Sequence, residues 1–380
     1  MTHSVSILCH TLAGNAFGRA WLLADLLSQD FSVHMVTACR PNDELWAPAR
    51  GSCQFEIRRW SPWSYPGYVA RAPSIARRLV TGDIVLAVKP HLSSLGLGLV
   101  AREVRKRPLI ADVDDWELGF SSLAGDLLGA PWAALSAASA LHTRRMSAKV
   151  RTADAVTVSN SFLHERYGGT WIPHARDEER FRPVPGPAGE PPTVLFAGTP
   201  RRHKGLGELL EAYRQLRVPA RLRIVGGMLD PELVRETRDE AGISVEPPVP
   251  MQELLGILAS ADVVVIPQSD SPASQGQLPA KLLDAMAMGR AVVSTNVGDI
   301  PRWLADGAGR VVPPGDAGAL ARGLEELLGD AALRAQLGAR ARERFLRYGS
   351  QGVLRPRLVG LLQRVLAGES LAPPAAPFSD

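Results

Sequence analysis

The chain repeats one local pattern along most of its length: a short apolar run, a stretch with helical spacing, then another short apolar run. Residues 4–9, 33–37, 84–88, 109–113 and 155–159 read as strands, with helical spacing over 20–27 and 95–104 between them. Such alternation favours a parallel sheet covered by helices on both faces. The rhythm breaks over 168–192, where Pro173, Pro183, Pro185, Pro187, Pro191 and Pro192 stand among charges, as in a linker. It restarts with strands at 193–197, 222–225, 263–267 and 291–295 and a helical stripe of Leu206, Leu209, Leu210, Tyr213 and Leu216. A helix over 278–288 is stopped by Gly289, and two more helices are expected near 317–328 and 331–348.

A chain of 380 residues exceeds one ordinary core, so the proline-rich break is read as a division. The expected fold is α/β with two Rossmann-like doubly wound domains, over 1–175 and 193–349, joined by a linker at 176–192. A helix near 350–368 is expected to pack back on the first domain, and 369–380, rich in Pro and Ala, reads as a disordered tail. Doubly wound sheets bind ligands beyond the carboxyl ends of their strands, so the loops there are the places to search.

Composition narrows the partners. The formal charge is +4 and the pI about 9.1, which suits phosphate binding or a peripheral membrane contact and is too weak to imply nucleic acid. Cys9, Cys39 and Cys53 show neither metal-ligand spacing nor a disulfide framework, and the N-terminus lacks a leader pattern, so a cytoplasmic setting is expected. The most apolar stretch, 123–141, is cut by Asp126 and Pro131 and falls short of the ~20 apolar residues of a membrane span.

Two segments carry the clearest chemistry. Gly198-Thr199-Pro200-Arg201-Arg202-His203-Lys204-Gly205 follows a strand and opens a helix. Backbone N–H groups, the helix dipole and cationic side chains at such a junction suit a diphosphate; a solvated basic turn is the competing reading. The second runs from Gln275 through Gly276, Gln277, Leu278, Pro279 and Lys281 to Asp284, with Pro279 expected at the first helical position. Asp284 sits in an apolar run, where it either faces a cleft and accepts ribose hydroxyls or makes a weak ion pair with Lys281.

Taken in order, these segments resemble a family 4 glycosyltransferase of the GT-B fold (glycosyl transferases group 1). VLFAGTPRRHKGLGELLEAY resembles that family's strand, glycine loop and Lys-Gly helix start. ASADVVVIPQSDSPASQGQLPAKLLDAMAMGRAVVSTNVGDIP resembles its sugar-nucleotide helix and following strand. TADAVTVSNSFL and WIPHARDEERFRP resemble the end of its first domain and the exit into the linker. The likeness runs over 152–348 and is weaker over 1–150.

The resemblance implies two domains facing across a cleft, a nucleoside diphosphate sugar as donor on the C-terminal domain, and an acceptor (glycan, lipid-linked or small molecule) on the N-terminal one. It also implies transfer with retention and no bound metal or other cofactor. Lys204 matches the family's diphosphate-binding lysine, Asp284 the second of its two acids eight positions apart, and Gly14 its glycine-rich first loop. The first acid falls at Gly276 and the arginine after the first glycine is Thr199. That leaves Gln275, Gln277 or Asp270 to contact the sugar and Arg201 or Arg202 to supply the charge. The expected donor site is therefore Gly14, Gly198, Arg201, Arg202, Lys204, Gln275, Gly276, Gln277, Leu278, Lys281 and Asp284.

In the N-terminal half, Asp112-Val113-Asp114-Asp115 ends a strand. Alone, Asp-x-Asp suggests a metal on a diphosphate. Within the resemblance, Asp114 replaces a histidine and Asp115 keeps the following acid, so Asp114, Asp115 and His91 are the catalytic candidates, against a plain turn of solvated acids. His10 and His174 are further candidates near strand or linker ends. Trp60, Trp63, Tyr65 and Tyr68 lie among arginines, as a stacking platform, a membrane contact or a loop folded over its own aromatics. Two other functions compete. One is a non-catalytic GT-B-like protein that binds a nucleotide or glycan. The other is a nicotinamide-dependent dehydrogenase, which lacks a G-x-G-x-x-G after the first strand.

Overall fold

The computed structural model describes residues 3–40, 42–51, 53–61, 67–120, 139–185 and 190–379. The chain forms two compact units, Met1–Pro173 with Leu354–Asp380, and His174–Val353.

The first unit is built on a seven-stranded sheet of β1 (Ser4–Cys9), β2 (Ser32–Ala38), β3 (Glu56–Trp60), β4 (Ile84–Val88), β5 (Leu109–Val113), β6 (Ala155–Val158) and β7 (Thr170–Trp171). The spatial order is β3-β2-β1-β4-β5-β6-β7, and every pairing is parallel. β4 and β5 are buried at every position, as a parallel strand covered on both faces requires. The strand order reverses between β1 and β4, which makes their carboxyl ends the switch point of the sheet. The register sets Val88 beside Asp112 and Asp112 beside Thr157, so β4, β5 and β6 end level with one another.

The second unit repeats the plan with six parallel strands in the order β10-β9-β8-β11-β12-β13. They are β8 (Thr193–Ala197), β9 (Arg221–Val225), β10 (Ile243–Glu246), β11 (Val263–Ile266), β12 (Ala291–Thr295) and β13 (Arg310–Val312). Here the reversal lies between β8 and β11. The two long C-terminal helices are separated by local chemistry. Asp316 caps Ala317–Gly329 by accepting from the Ala319 N–H, and Asp330 caps Ala331–Tyr348 by accepting from the Leu333 N–H.

The linker, the tail and the aromatic cluster differ from expectation, and the C-terminal helix does not. The proposed linker 176–192 is not a free tether at its start. Phe181 is buried, and Arg176 exchanges backbone hydrogen bonds with Gly349 and Gln351 inside the second unit. The helix Gln351–Leu366 enters the first unit from Leu354, where Arg355 pairs with Asp30. The tail is not disordered throughout 369–380, because the Phe378 ring meets Trp171 at 4.7 Å between centroids and Pro377 is buried. Trp60 and Tyr68 are core residues whose rings lie 5.8 Å apart, which removes them as a surface platform; Trp63 and Tyr65 lie outside the described residues, as does most of 123–141. Among the described residues, no helix is long and apolar enough to cross a membrane.

Candidate functional site

In the second unit, the donor candidates gather at the switch point. Gly198 follows β8 with φ at +142°, a conformation that favours glycine. A Cβ built on it would lie 3.7 Å from both the Lys204 and the Lys281 ammonium nitrogens, so the two cations converge on this backbone. Lys204 donates to the Thr199 carbonyl at 2.9 Å. The Lys281 nitrogen is buried with no hydrogen-bond partner and lies 3.6 Å from the centre of the Phe196 ring. Burial first, then Lys204, lowers the Lys281 pKa well below its ordinary value, and Asp284 only partly opposes this. Lys204 lowers the Lys281 pKa because two ammoniums side by side are costly, and an anion bound beside them would offset that cost.

The turn that carries Lys204 depends on close packing. Gly205 has φ +64°, and a Cβ there would fall 1.6 Å from the Pro267 carbonyl oxygen just beyond β11. The loop after β8 is thereby pinned against the end of β11. Gln268, the next residue, is 1% exposed, and neither polar atom of its side chain has a hydrogen-bond partner. Sequence reading gave no signal for it, since a glutamine after a strand looks like any loop residue.

The remaining donor candidates divide. Asp284 is buried, but its ion-pair partner is Arg176 and not Lys281. Gln275 is committed within its own loop, donating to Asp270 at 2.7 Å and accepting from the Gly298 N–H at 3.1 Å, so it and Asp270 brace each other. Pro279 stands at the N-cap, not at the first helical position, of Ala280–Ala287. Leu278 is buried and Gly276 closes the short helix Pro272–Gln275, while Gln277 is half-buried. Arg201 is exposed and caps the single turn Arg202–Lys204; the Arg202 side chain lies outside the described part.

In the first unit, the catalytic candidates also lie at the switch point. Gly14 is the N-cap of the helix Asn15–Leu27 beyond β1, which contributes Arg19. The Arg19 guanidinium is fully buried and forms a bidentate pair with Asp112 at 3.0 and 2.7 Å; Thr157 donates to the same carboxylate at 2.7 Å. Asp114, Asp115 and Glu117 bring carboxylate oxygens within 4.8 Å of one another, a spacing that could hold a metal ion. The Lys89 ammonium already sits among them, at 3.1 Å from Asp114, 2.6 Å from Asp115 and 2.6 Å from Glu117. Glu117 also faces His91 at 3.3 Å, whose ring lies 4.2 Å from that of His10. These are not solvated acids at a turn. Burial opposes ionisation of Glu117, but Lys89 and His91 outweigh it and hold its carboxyl well below the usual range. His174, the remaining histidine candidate, is half-buried in the second unit.

Residues 191–330 match the family model for glycosyl transferases group 1. A phosphatidyl-myo-inositol mannosyltransferase of Mycolicibacterium smegmatis is 38% identical over 188 residues, 47% of this chain and 47% of that protein. A putative colanic acid biosynthesis glycosyltransferase, WcaL, of Escherichia coli is 33% identical over 201 residues, 49% of each. The chain thus spans about half the length of the curated relatives it matches. Among solved structures, a sucrose-phosphate synthase of Thermosynechococcus elongatus superposes with a TM-score of 0.70 at 18% identity, covering 97% of this chain and 100% of that one. Anabaena Alr3699/HepE, solved with UDP and glucose, does so with 0.71 at 15% identity, covering 95% and 99%. These neighbours share the fold of two parallel α/β units across nearly the whole chain.

Proposed function

We propose that the chain, whose residues 191–330 match the family model for glycosyl transferases group 1, is a glycosyltransferase taking its sugar from a nucleoside diphosphate sugar held by the second unit. The observation that carries this reading is the convergence of Lys204 and Lys281 on Gly198 at the switch point of that sheet. A diphosphate would supply an anion to the two cations, the loop N–H groups supply donors, and Asp284 supplies an acceptor for ribose. The cations neutralise the leaving diphosphate, so the reading needs no metal there. In the first unit Lys89 already fills the space among the three carboxylates, which favours a metal-free site there too.

The first unit takes the acceptor, and the transfer proceeds with retention of configuration, as the family resemblance implies. The net charge of +4 and a relative named for phosphatidyl-myo-inositol support an acceptor at an anionic lipid surface on the cytoplasmic side. Co-sedimentation with vesicles of phosphatidylcholine, with and without phosphatidylglycerol, tests that part.

The donor site is tested by thermal unfolding with UDP, GDP, ADP, CDP, dTDP and NAD, for the wild type and Lys204→Ala. A ligand at ~100 times its Kd adds about 2.7 kcal/mol, so one nucleoside diphosphate should raise the Tm of the wild type and not of the variant. Stabilisation by none of the diphosphates, or by NAD in their place, would sink the proposal.

A further inference from the structure

Lys89 organises the charges at the ends of β4 and β5, although nothing in the Asp-Asp motif announces it. Its φ of 65° is unusual for a residue with a side chain. Three hydrogen bonds impose it: the Lys89 N–H donates to the Asp112 carbonyl at 2.8 Å, and the Lys89 carbonyl accepts from the His91 N–H at 2.9 Å and the Ser94 hydroxyl at 2.6 Å. The side chain is thereby aimed at 114–117. Of the three nearby carboxylates, Asp115 and Glu117 accept hydrogen bonds from the ammonium at 2.6 Å. Asp114 stands further off, at 3.1 Å, and its Oδ1 is buried without a hydrogen-bond partner.

We propose that Lys89 is the positioning residue of this strand end: it fixes Asp115 and Glu117, and through Glu117 the His91 ring, and leaves Asp114 as the carboxyl that exchanges the proton of an acceptor hydroxyl. The proposal rests on the glycosyltransferase reading above. In the transfer, the bond from the sugar carbon to the diphosphate breaks and its electron pair leaves with the diphosphate. The acceptor oxygen forms the new bond to that carbon, and the hydroxyl proton passes to Asp114.

The surroundings of Asp114 suit that role. Around it stand Cys9 of β1, Arg19 of the helix beyond, Lys89 after β4, Asp112 of β5, and Asp115 and Glu117, with His91 against Glu117 and His10 against His91. Burial pushes the Asp114 carboxyl up and Lys89 pulls it down; Asp115 and Asp112 push it up again, Arg19 lowers it, and it comes to about 7. Burial, with His91 beside it, lowers His10 to about 3 and so keeps that ring neutral. Burial raises the Cys9 thiol to about 12. A group that titrates close to the working pH is well matched to proton transfer.

The test is the titration of the aspartate carboxyl carbons by NMR, in full-length protein labelled with ¹³C at aspartate, for the wild type, Asp114→Asn, Lys89→Met and Lys89→Arg. One wild-type signal should titrate near pH 7 and vanish in Asp114→Asn. Lys89→Met should move its midpoint up by about one pH unit or more, and Lys89→Arg should bring it back. Because removing the ammonium alone strands buried carboxylates, Lys89→Met/Glu117→Gln is run in parallel and should show the same upward movement. A wild type with no aspartate titrating above about pH 6, or a midpoint unmoved in both Met variants, overturns the proposal. Stabilisation by nucleoside diphosphates, measured on the same samples, reports separately on the enzyme reading. If the titration behaves as expected and no nucleotide binds, the role toward an acceptor is overturned while the charge arrangement stands.

Discussion

Arg176 donates from Nε to Oδ1 of Asp284, joining two side chains that are 11% and 7% exposed. Asp284 is the residue proposed to accept ribose hydroxyls, and this pair engages one of its two carboxylate oxygens. The guanidinium also fixes the carboxylate against rotation, since Arg176 is tied by its own backbone to Gly349 and Gln351.

Removing Arg176 should therefore cost stability as well as binding. Arg176→Ala leaves a buried carboxylate without its cation, which costs about 3–5 kcal/mol. Thermal unfolding should show the loss, with Arg176→Lys recovering part of it. A change below about 1 kcal/mol, the scale of an exposed pair, would show that water reaches Asp284 freely.

Lys281 should behave in the opposite way. Its ammonium is buried without a hydrogen-bond partner, so Lys281→Met should leave the free protein as stable as the wild type or more so. The same substitution should abolish the Tm increase given by the stabilising nucleoside diphosphate. A destabilised variant that still responds fully to nucleotide would place the diphosphate elsewhere.

The depressed pKa of Lys281 links nucleotide binding to protons. A lysine whose folded pKa lies below its unfolded value binds fewer protons when folded, so between those two values stability rises with pH. A diphosphate beside Lys281 favours the charged form and raises its pKa, so protons are taken up on binding over the pH range between the free and the bound values. Calorimetric titrations in buffers of different ionisation enthalpy should therefore show proton uptake on binding, and Lys281→Met should remove it. Binding heats independent of buffer in the wild type would contradict this.

Gly205→Ala should disrupt the same loop through its backbone. A methyl group would meet the Pro267 carbonyl at 1.6 Å in a left-handed conformation, so the loop must move or the protein lose at least about 2 kcal/mol. The nucleotide response should fall with it. Gly207→Ala, where a Cβ meets nothing within 4 Å, is the control and should leave both unchanged.

Much of this protein is local and was legible in the chain. Alternating short apolar runs and helical periods specify parallel strands and covering helices, because side-chain period and burial on both faces are properties of neighbouring residues. The glycine turn after 193–197 and the lysine that opens the next helix are local for the same reason, so the sequence by itself sets Gly198 and Lys204 beyond a strand end. Tertiary structure alone decided which charges meet. Lys89 reaches Asp115 and Glu117 across the register of β4 and β5, Arg176 reaches Asp284 across 108 positions, and Lys281 turns from its helical neighbour Asp284 toward Phe196. Gln275, expected at the sugar, is spent on bracing its loop. An ion pair is chosen by distance and burial, and both are set only when the strands have found their order in the sheet.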